Sequence, residues 1–501
     1  MDVLHSLMNG FFQVLTPYNL WMAVVGCFFG TLVGILPGLG PSATIAMLLP
    51  FTYGMQATPA MIMLCALYYG AKYGGSTTAI LINVPGENAS VVTTFDGYQM
   101  ALQGRAGSAL GISAIGSFIG GILGTFGVIF IAVPLAEFSL RFGPAEYFSL
   151  IVMGMLTIVF VGGKSIIKSL MSGVIGLSIG VVGTDVVQGA PRFVYGIADL
   201  MDGISFIVVV MGVFGIGEVL VSAEERIRMG SIKVPFSKLR PSMTDLIQSR
   251  WAIMRGTVIG FIIGVLPGAG STLASFLSYG VEKSFAKQPE RFGKGAIEGV
   301  AGPETANNAS CSGELVPLLS LGIPGSGATA VMLGALMMYG LKPGPMLFHT
   351  NPDFVWTLIA SLFVGNVILL IMNLPMVPLF AYTLRLSYSI LYPAIILICI
   401  TGVYSVSSSI FDVWSMLFFG VAGYFMKKYD IPGAPMIIGL VLGPLMEHSL
   451  YRALALGQGK ISVFVTRPIS AVLLGITLLM AIAVCFKTIK IMRTQLGEEK
   501  S

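Results

Sequence analysis

GILPGLGPSAT, residues 34–44, and GVLPGAGST, residues 264–272, decide how this chain is read. In each, a long apolar run stops at Leu-Pro-Gly-x-Gly and restarts through small hydroxyl residues. Pro37 and Pro267 remove a backbone donor, and the glycines after them permit conformations that an ordinary helix does not use. In hydrocarbon such a break leaves bare N–H and C=O groups. It is tolerated only where it is buried in protein or lines a polar cavity.

Composition makes hydrocarbon the relevant solvent. Mean hydropathy is +0.88. Charged residues make up 10% of the 501, against roughly 25% in soluble proteins. The 63 glycines suit close helix packing in lipid and tight re-entrant turns. An all-α, polytopic membrane protein of eleven or twelve spans is expected, with two broken or re-entrant segments. The net charge of +5 sits in loops, where topology requires it, and is no argument for nucleic acid. Cys27, Cys65, Cys311, Cys399 and Cys485 show no CxxC spacing and read as packing residues.

Outward from the two breaks, the chain divides into an interfacial segment 1–18 and a first repeat 19–222. A basic linker 223–255 leads to a second repeat 256–450, a final connection and span 451–486, and a tail 487–501. The linker carries Arg226, Arg228, Lys233, Lys238, Arg240, Arg250 and Arg255, which places it, like the basic tail, in the cytoplasm. AILINVPGENAS (79–90) aligns with LLSLGIPGSGAT (318–329), setting Pro85 on Pro324 and Gly86 on Gly325. Corresponding loops carry opposite charge: Lys164 and Lys168, for example, answer the uncharged SVSSSI in the second half. Equivalent loops on opposite sides are the sign of an inverted repeat, as in secondary transporters. With 223–255 and the basic loop 282–294 both cytoplasmic, the segment between them enters and leaves on one side. The second break is then the tip of a re-entrant hairpin; the alternative is a single kinked span.

The candidate binding residues follow from the breaks. Gly38, Gly40, Ser42 and Thr44 precede one restarted half-helix, and Gly268, Gly270, Ser271 and Thr272 the other. A half-helix N-terminus points unpaired N–H groups and the positive end of its dipole at an anion. Exposed carbonyls of Gly38, Gly40, Gly268 and Gly270, with the carboxylates of Glu304 and Glu314, are candidates for Na⁺. A second matched pair of stretches, 70–90 and 302–327, reads as irregular and rich in polar side chains. Ser76, Thr77 and Asn83 stand in the first, and Asn307, Asn308, Ser310 and Ser326 in the second. Their density in an apolar chain demands partners, either a ligand or neighbouring helices. Lys72, in LYYGAKYGGST, costs at least a few kcal/mol when buried unpaired. An anionic substrate, a fixed pair with Glu87, or snorkelling to the interface would each relieve it. Asp96 is expected to pin a turn.

Enzyme motifs are missing from the sequence. GGKS at 162–165 has Ile158 where a P-loop needs its first glycine, and neither HExxH nor GxSxG occurs. No cofactor is expected beyond a coupling Na⁺ or H⁺. The rival class is a passive anion channel or facilitator, which predicts a continuous polar stripe along the spans.

LPGLGP, ILINVPGENAS, DGYQMALQGRAGSALG (96–111), LPGAGS and GIPGSGATAVMLGAL, in this order over essentially the whole chain, resemble the large membrane subunit of the tripartite tricarboxylate transporters. The resemblance implies a subunit of the bacterial inner membrane that acts with a small, four-helix membrane subunit and a periplasmic solute-binding protein. It also implies uptake of citrate or another carboxylate, driven by a Na⁺ or H⁺ gradient. The two loops 36–44 and 266–272 match the family's glycine-rich motifs.

Overall fold

A computed structural model describes residues 3–36, 38–161, 165–185, 189–225, 241–376 and 388–498. Pro37, Lys164, the linker residues Arg226, Arg228, Lys233, Lys238 and Arg240, and the tail's last three residues lie outside the described set, as does the side chain of Cys485. Helices dominate. In chain order they begin with α1 (Val3–Val14), α2 (Pro17–Gly34), α3 (Pro41–Leu48) and α4 (Ala57–Ile82). The first half continues with α5 (Ala106–Ser139), α6 (Pro144–Val161), α7 (Ile166–Gly180) and α8 (Phe206–Glu224). Then come α9 (Met243–Val265), α10 (Gly270–Phe285), α11 (Glu298–Leu321), α12 (Gly327–Met338), α13 (Pro345–Thr350) and α14 (Pro352–Asn373). The chain closes with α15 (Tyr388–Ser407), α16 (Ile410–Lys428), α17 (Gly433–Leu456) and α18 (Pro468–Glu498).

Among the described residues, seven helices are long and apolar enough to cross a membrane, and five shorter apolar helices accompany them. Beside a large apolar core, some helices expose big apolar side chains and bury polar ones. The large apolar side chains of α9 at Ile247, Trp251, Met254, Val258 and Ile262 face outward, while Asn307, Asn308, Ser310, Ser312 and Glu314 of α11 are buried. A multi-pass protein needs that arrangement, because lipid solvates methylene groups and rejects unpaired polar ones.

The chain forms two compact units, residues 1–138 with 205–429, and residues 139–204 with 430–501. Neither follows the repeat boundaries read from sequence; each draws on both halves. Within the smaller unit α17 packs on α6 and α7, and α18 packs on α6. It is tied by Arg467 to Glu146 at 3.2 Å and by Arg192 to Glu447 at 2.7 Å.

The larger unit holds both breaks, and in each half a glycine ladder presses two helices together. Gly26, Gly30 and Gly34 of α2 lie against the backbone of Met63, Leu67 and Ala71 in α4. Gly256, Gly260 and Gly264 of α9 lie in the same way against Gly302, Ala306 and Ser310 of α11. A methyl group on any of the six would overlap the facing backbone, so the small residues are what permits the approach. Both ladders share one register. Extending the alignment of 79 with 318 without gaps makes Leu67 the equivalent of Ala306, the residues that the two middle glycines touch.

Three expectations are corrected. The stretches 70–90 and 302–327 are regular helix as far as Ile82 and Leu321, because their polar side chains bond within the helices. Thr305, for example, donates to the Ala301 carbonyl at 2.7 Å and Ser320 to that of Val316 at 2.6 Å. The real ends are the left-handed caps Asn83 (φ 58°) and Gly322 (φ 73°), equivalent positions in the two halves. The stretch 223–255 is not loop throughout: Ser242 caps α9 and accepts from the Asp245 amide at 3.0 Å.

The second break is a hairpin. Arg255 lies ten residues before the end of α9 and Glu282 twelve after the start of α10. At about 1.5 Å rise per residue, collinear helices would hold them more than 30 Å apart. Instead the guanidinium grips the carboxylate through two bonds of 2.8 and 2.6 Å. Asp96 pins the turn beyond the hairpin, accepting from the amides of Gly293, Gly295 and Ala296 and from the Tyr279 hydroxyl.

Candidate functional site

The two ladders bring the middles of α4 and α11 into one buried polar network. Lys72 reaches it from the α4 face that also bears Tyr68 and Ser76, one turn away on either side. Its ammonium donates to Glu87 Oε2 at 2.6 Å and to Ser271 Oγ at 2.5 Å. Glu87 comes from the turn after α4, and its other oxygen accepts from Asn307 Nδ2 at 2.8 Å. Of the ways to relieve a buried Lys72, this structure uses the pair with Glu87, both residues being under 10% exposed. Ser271, from the second break, is the hydroxyl that joins the hairpin tip to this pair.

Two further carboxyl groups flank it on α11. Glu304 accepts hydroxyl hydrogens from Ser76 and Thr93. Glu314 accepts from the Tyr68 hydroxyl at 2.7 Å and from Ser326, the cap of α12. The hairpin tip closes over this end: the Gly268 amide donates to the Gly325 carbonyl at 2.9 Å. Gly268 (φ 83°) and its counterpart Gly38 (φ 89°) both adopt the left-handed backbone that glycine alone accepts freely.

Two acceptors in the network, Asn307 Oδ1 and Glu314 Oε1, stay without a hydrogen-bond partner among the described residues, as does the nearby Tyr73 hydroxyl. Buried polar atoms left open in this way mark room for an ion, a water or a ligand group. No cluster of three His, Cys, Asp or Glu able to hold a metal occurs among the described residues.

The other candidates are placed as follows. Gly38 abuts the Ser222 hydroxyl, and Thr44 donates to the Gly40 carbonyl at 3.1 Å. Gly40 caps α3, which begins just ahead of half-buried Ser42. Gly40 and Gly270 occupy equivalent positions, and at both a side chain would meet open space. Thr272 is half-buried on α10, and Thr77 is buried beside Ser76. Asn308 turns to another face of α11 and donates to Ser117 of α5 at 2.7 Å. Ser310 donates to the Asn307 carbonyl at 2.7 Å, and its backbone forms the seat for Gly264. Asn83 is exposed, so its place is at a helix end and not in the network.

Tyr68 and Thr93 belong to the network, Tyr69 and Tyr73 lie beside it on α4, and none of the four is among the sequence candidates. A signal existed: three tyrosines crowd around Lys72 in LYYGAKY, and a buried tyrosine hydroxyl needs a partner. Tyr69 finds one in Ser312 at 2.6 Å.

The model of the tripartite tricarboxylate transporter TctA family matches residues 20–438. This chain belongs to that family. It is therefore a multi-pass membrane subunit of a tripartite tricarboxylate transporter. An Agrobacterium vitis protein, named an uncharacterized 52.8 kDa protein in the TAR-I ttuC' 3' region, is 44% identical over 501 residues, all of both chains. A second protein of that organism, an uncharacterized protein in the TAR-II ttuC' 3' region, is 44% identical over 240 residues, 48% of this chain and 99% of its own length. No solved structure matches the chain.

Proposed function

We propose that this chain is the translocation subunit of a binding-protein-dependent secondary transporter that takes up tricarboxylates or related carboxylates by alternating access. It resides in the bacterial inner membrane with its linker and C-terminus in the cytoplasm. A small four-helix membrane subunit accompanies it, and a periplasmic solute-binding protein delivers the substrate. The observation that supports this most is the matched pair of breaks, each with a glycine, Gly40 or Gly270, that opens onto space at the start of a half-helix. Substrate carboxylates are held there by backbone N–H groups and by Ser42, Thr44, Ser271 and Thr272. Na⁺ or H⁺ moving down its gradient favours the loaded state. Lys72 then exchanges between Glu87 and a substrate carboxylate.

The test is uptake into proteoliposomes holding the complete system, with Na⁺ and H⁺ gradients imposed separately. Accumulation on a gradient is expected, and alanine at Ser42, Thr44, Ser271 and Thr272 abolishes it without loss of membrane insertion. Flux that ignores both gradients would instead identify a passive channel.

A further inference from the structure

The buried network holds one ammonium and three carboxyl groups. Lys72 balances Glu87. Glu314 lies against the N-terminus of α12 through Ser326, where the helix dipole favours negative charge. Glu304 has neither aid. It is 1% exposed, and its partners are the hydroxyls of Ser76 and Thr93, with Ser113 of α5 a third beside it. Hydroxyl groups donate to a carboxylate and accept from a carboxylic acid equally well, so this setting accommodates both forms. A separate feature adjoins it: a cavity of about 10 Å³ lined by Tyr73, Ser76, Thr77, Ser113 and Asn373 together with the apolar Leu110 and Ala114, the space of a single water. The Tyr73 hydroxyl on its wall has no partner among the described residues.

We infer that Glu304 carries the driving proton, which reaches it through a water lodged between Tyr73, Ser76 and Ser113. On loading, the water takes up a proton from the side of higher proton activity and hands one of its own to the carboxylate, so the water is restored as an O–H bond forms on Glu304. The Ser76 hydroxyl, until then a donor to Glu304, accepts from the new acid and turns its own hydrogen to the Lys72 carbonyl, 3.4 Å away. The bound proton is thereby felt in the turn of α4 that holds the Lys72–Glu87 pair. On release the O–H bond breaks, the proton passes to water on the opposite side, and Ser76 again donates to the carboxylate. Other carboxyl groups on the elements packed around α11 have partners of their own. Glu87 is bonded to Lys72, Asp96 to Tyr279, Glu282 to Arg255 and Asp245 to Arg105. His349 of α13 is exposed.

The inference rests on the cation-coupled reading above and specifies its ion. The test uses the complete complex in proteoliposomes with labelled citrate as probe and a pH dye inside. The native complex is expected to accumulate citrate on an inward proton gradient and to acidify the lumen as it does so. Glu304→Gln should lose net accumulation on a proton gradient by roughly tenfold or more, and the citrate it still admits should enter without acidifying the lumen. Accumulation by Glu304→Gln at the native rate overturns the inference. So does native uptake driven by Na⁺ alone without acidification, which leaves the transporter reading intact. Failure of the native complex to take up citrate under any gradient counts against both. Should Glu304→Gln not insert, Tyr73→Phe decides in its place: slower proton entry at unchanged citrate affinity is expected, and unchanged proton entry overturns the proposal.

Discussion

The half built on α2, α3 and α4 and the half built on α9, α10 and α11 share a frame and divide the chemistry. Both have a three-glycine ladder, a break with a left-handed glycine, a helix ending in a left-handed cap, and a Pro-Gly turn. Yet Lys72 of α4 is equivalent to Cys311 of α11, and Glu87 to Ser326. In the first half the acid stands in the turn and the cation on the helix. In the second, the acid Glu314 stands on the helix and the hydroxyl Ser326 in the turn. The frame is held by backbone contact that any pair of glycine-faced helices can repeat. The charged side chains are free to differ, and in differing they complement each other across the two copies. An exact duplicate would have set like against like. The return arms differ as well: α3 has 8 residues and α10 has 16, long enough for Arg255 to clamp it along α9.

The largest expected effect separates Lys72 from its counterpart. Lys72→Met leaves Glu87 buried with Asn307 alone, and removing one partner of a buried pair costs about 3–5 kcal/mol. Cys311→Ala should cost about 1 kcal/mol, since beyond packing the thiol adds only a weak bond to the Asn307 carbonyl at 3.4 Å. Adding Glu87→Gln to Lys72→Met should recover most of the loss, because the charge left unpaired is then gone. Thermal unfolding of the four detergent-purified proteins measures this. Equal losses at Lys72 and Cys311 would break the division of roles.

Much of this frame could be read in the sequence, and the reasons are local. Pro and Gly at 266–270 announce a break whatever surrounds them, and basic residues on both sides of it point to a hairpin. Asp96 behaves as expected of a carboxylate beside a glycine-rich turn. The helices through 70–82 and 302–321 were hidden, because Gly, Ser, Thr and Asn are poor helix formers in water. In an apolar surrounding the backbone has no better partner than itself, and hydroxyls of Thr305 and Ser320 fold back onto it. The pairing of Lys72 with Ser271, 199 residues away, depends on how the two ladders meet, which no local pattern encodes. Lys72 with Glu87, only 15 residues apart, could be weighed from sequence.

A smaller effect sharpens the comparison at the half-helix starts. Gly40 and Gly270 both face open space, but Gly40 has φ −70° and Gly270 has φ 63°. Gly270→Ala therefore carries a backbone penalty of about 1–2 kcal/mol, whereas Gly40→Ala carries none. If that space receives substrate at both starts, Gly40→Ala should raise the KM for uptake with unchanged unfolding temperature. Native kinetics in Gly40→Ala would mean that only the second break binds.

The smallest effect concerns the caps. Asn83 and Gly322 hold the same left-handed turn, which asparagine tolerates and glycine prefers. Asn83→Gly should thus leave the fold unharmed or stabilise it by under about 1 kcal/mol. Gly322→Ala, at a turn where an added side chain would also press on the Pro343 carbonyl, should cost at least that much. The asparagine side chain is exposed and outside the buried network. Uptake by Asn83→Gly at native KM and rate would assign this residue to backbone geometry alone. A clear rise in KM at unchanged stability would bring it back among the groups that touch the solute, and would mean that the first half presents a polar contact which the second, with Gly322 in that place, does not.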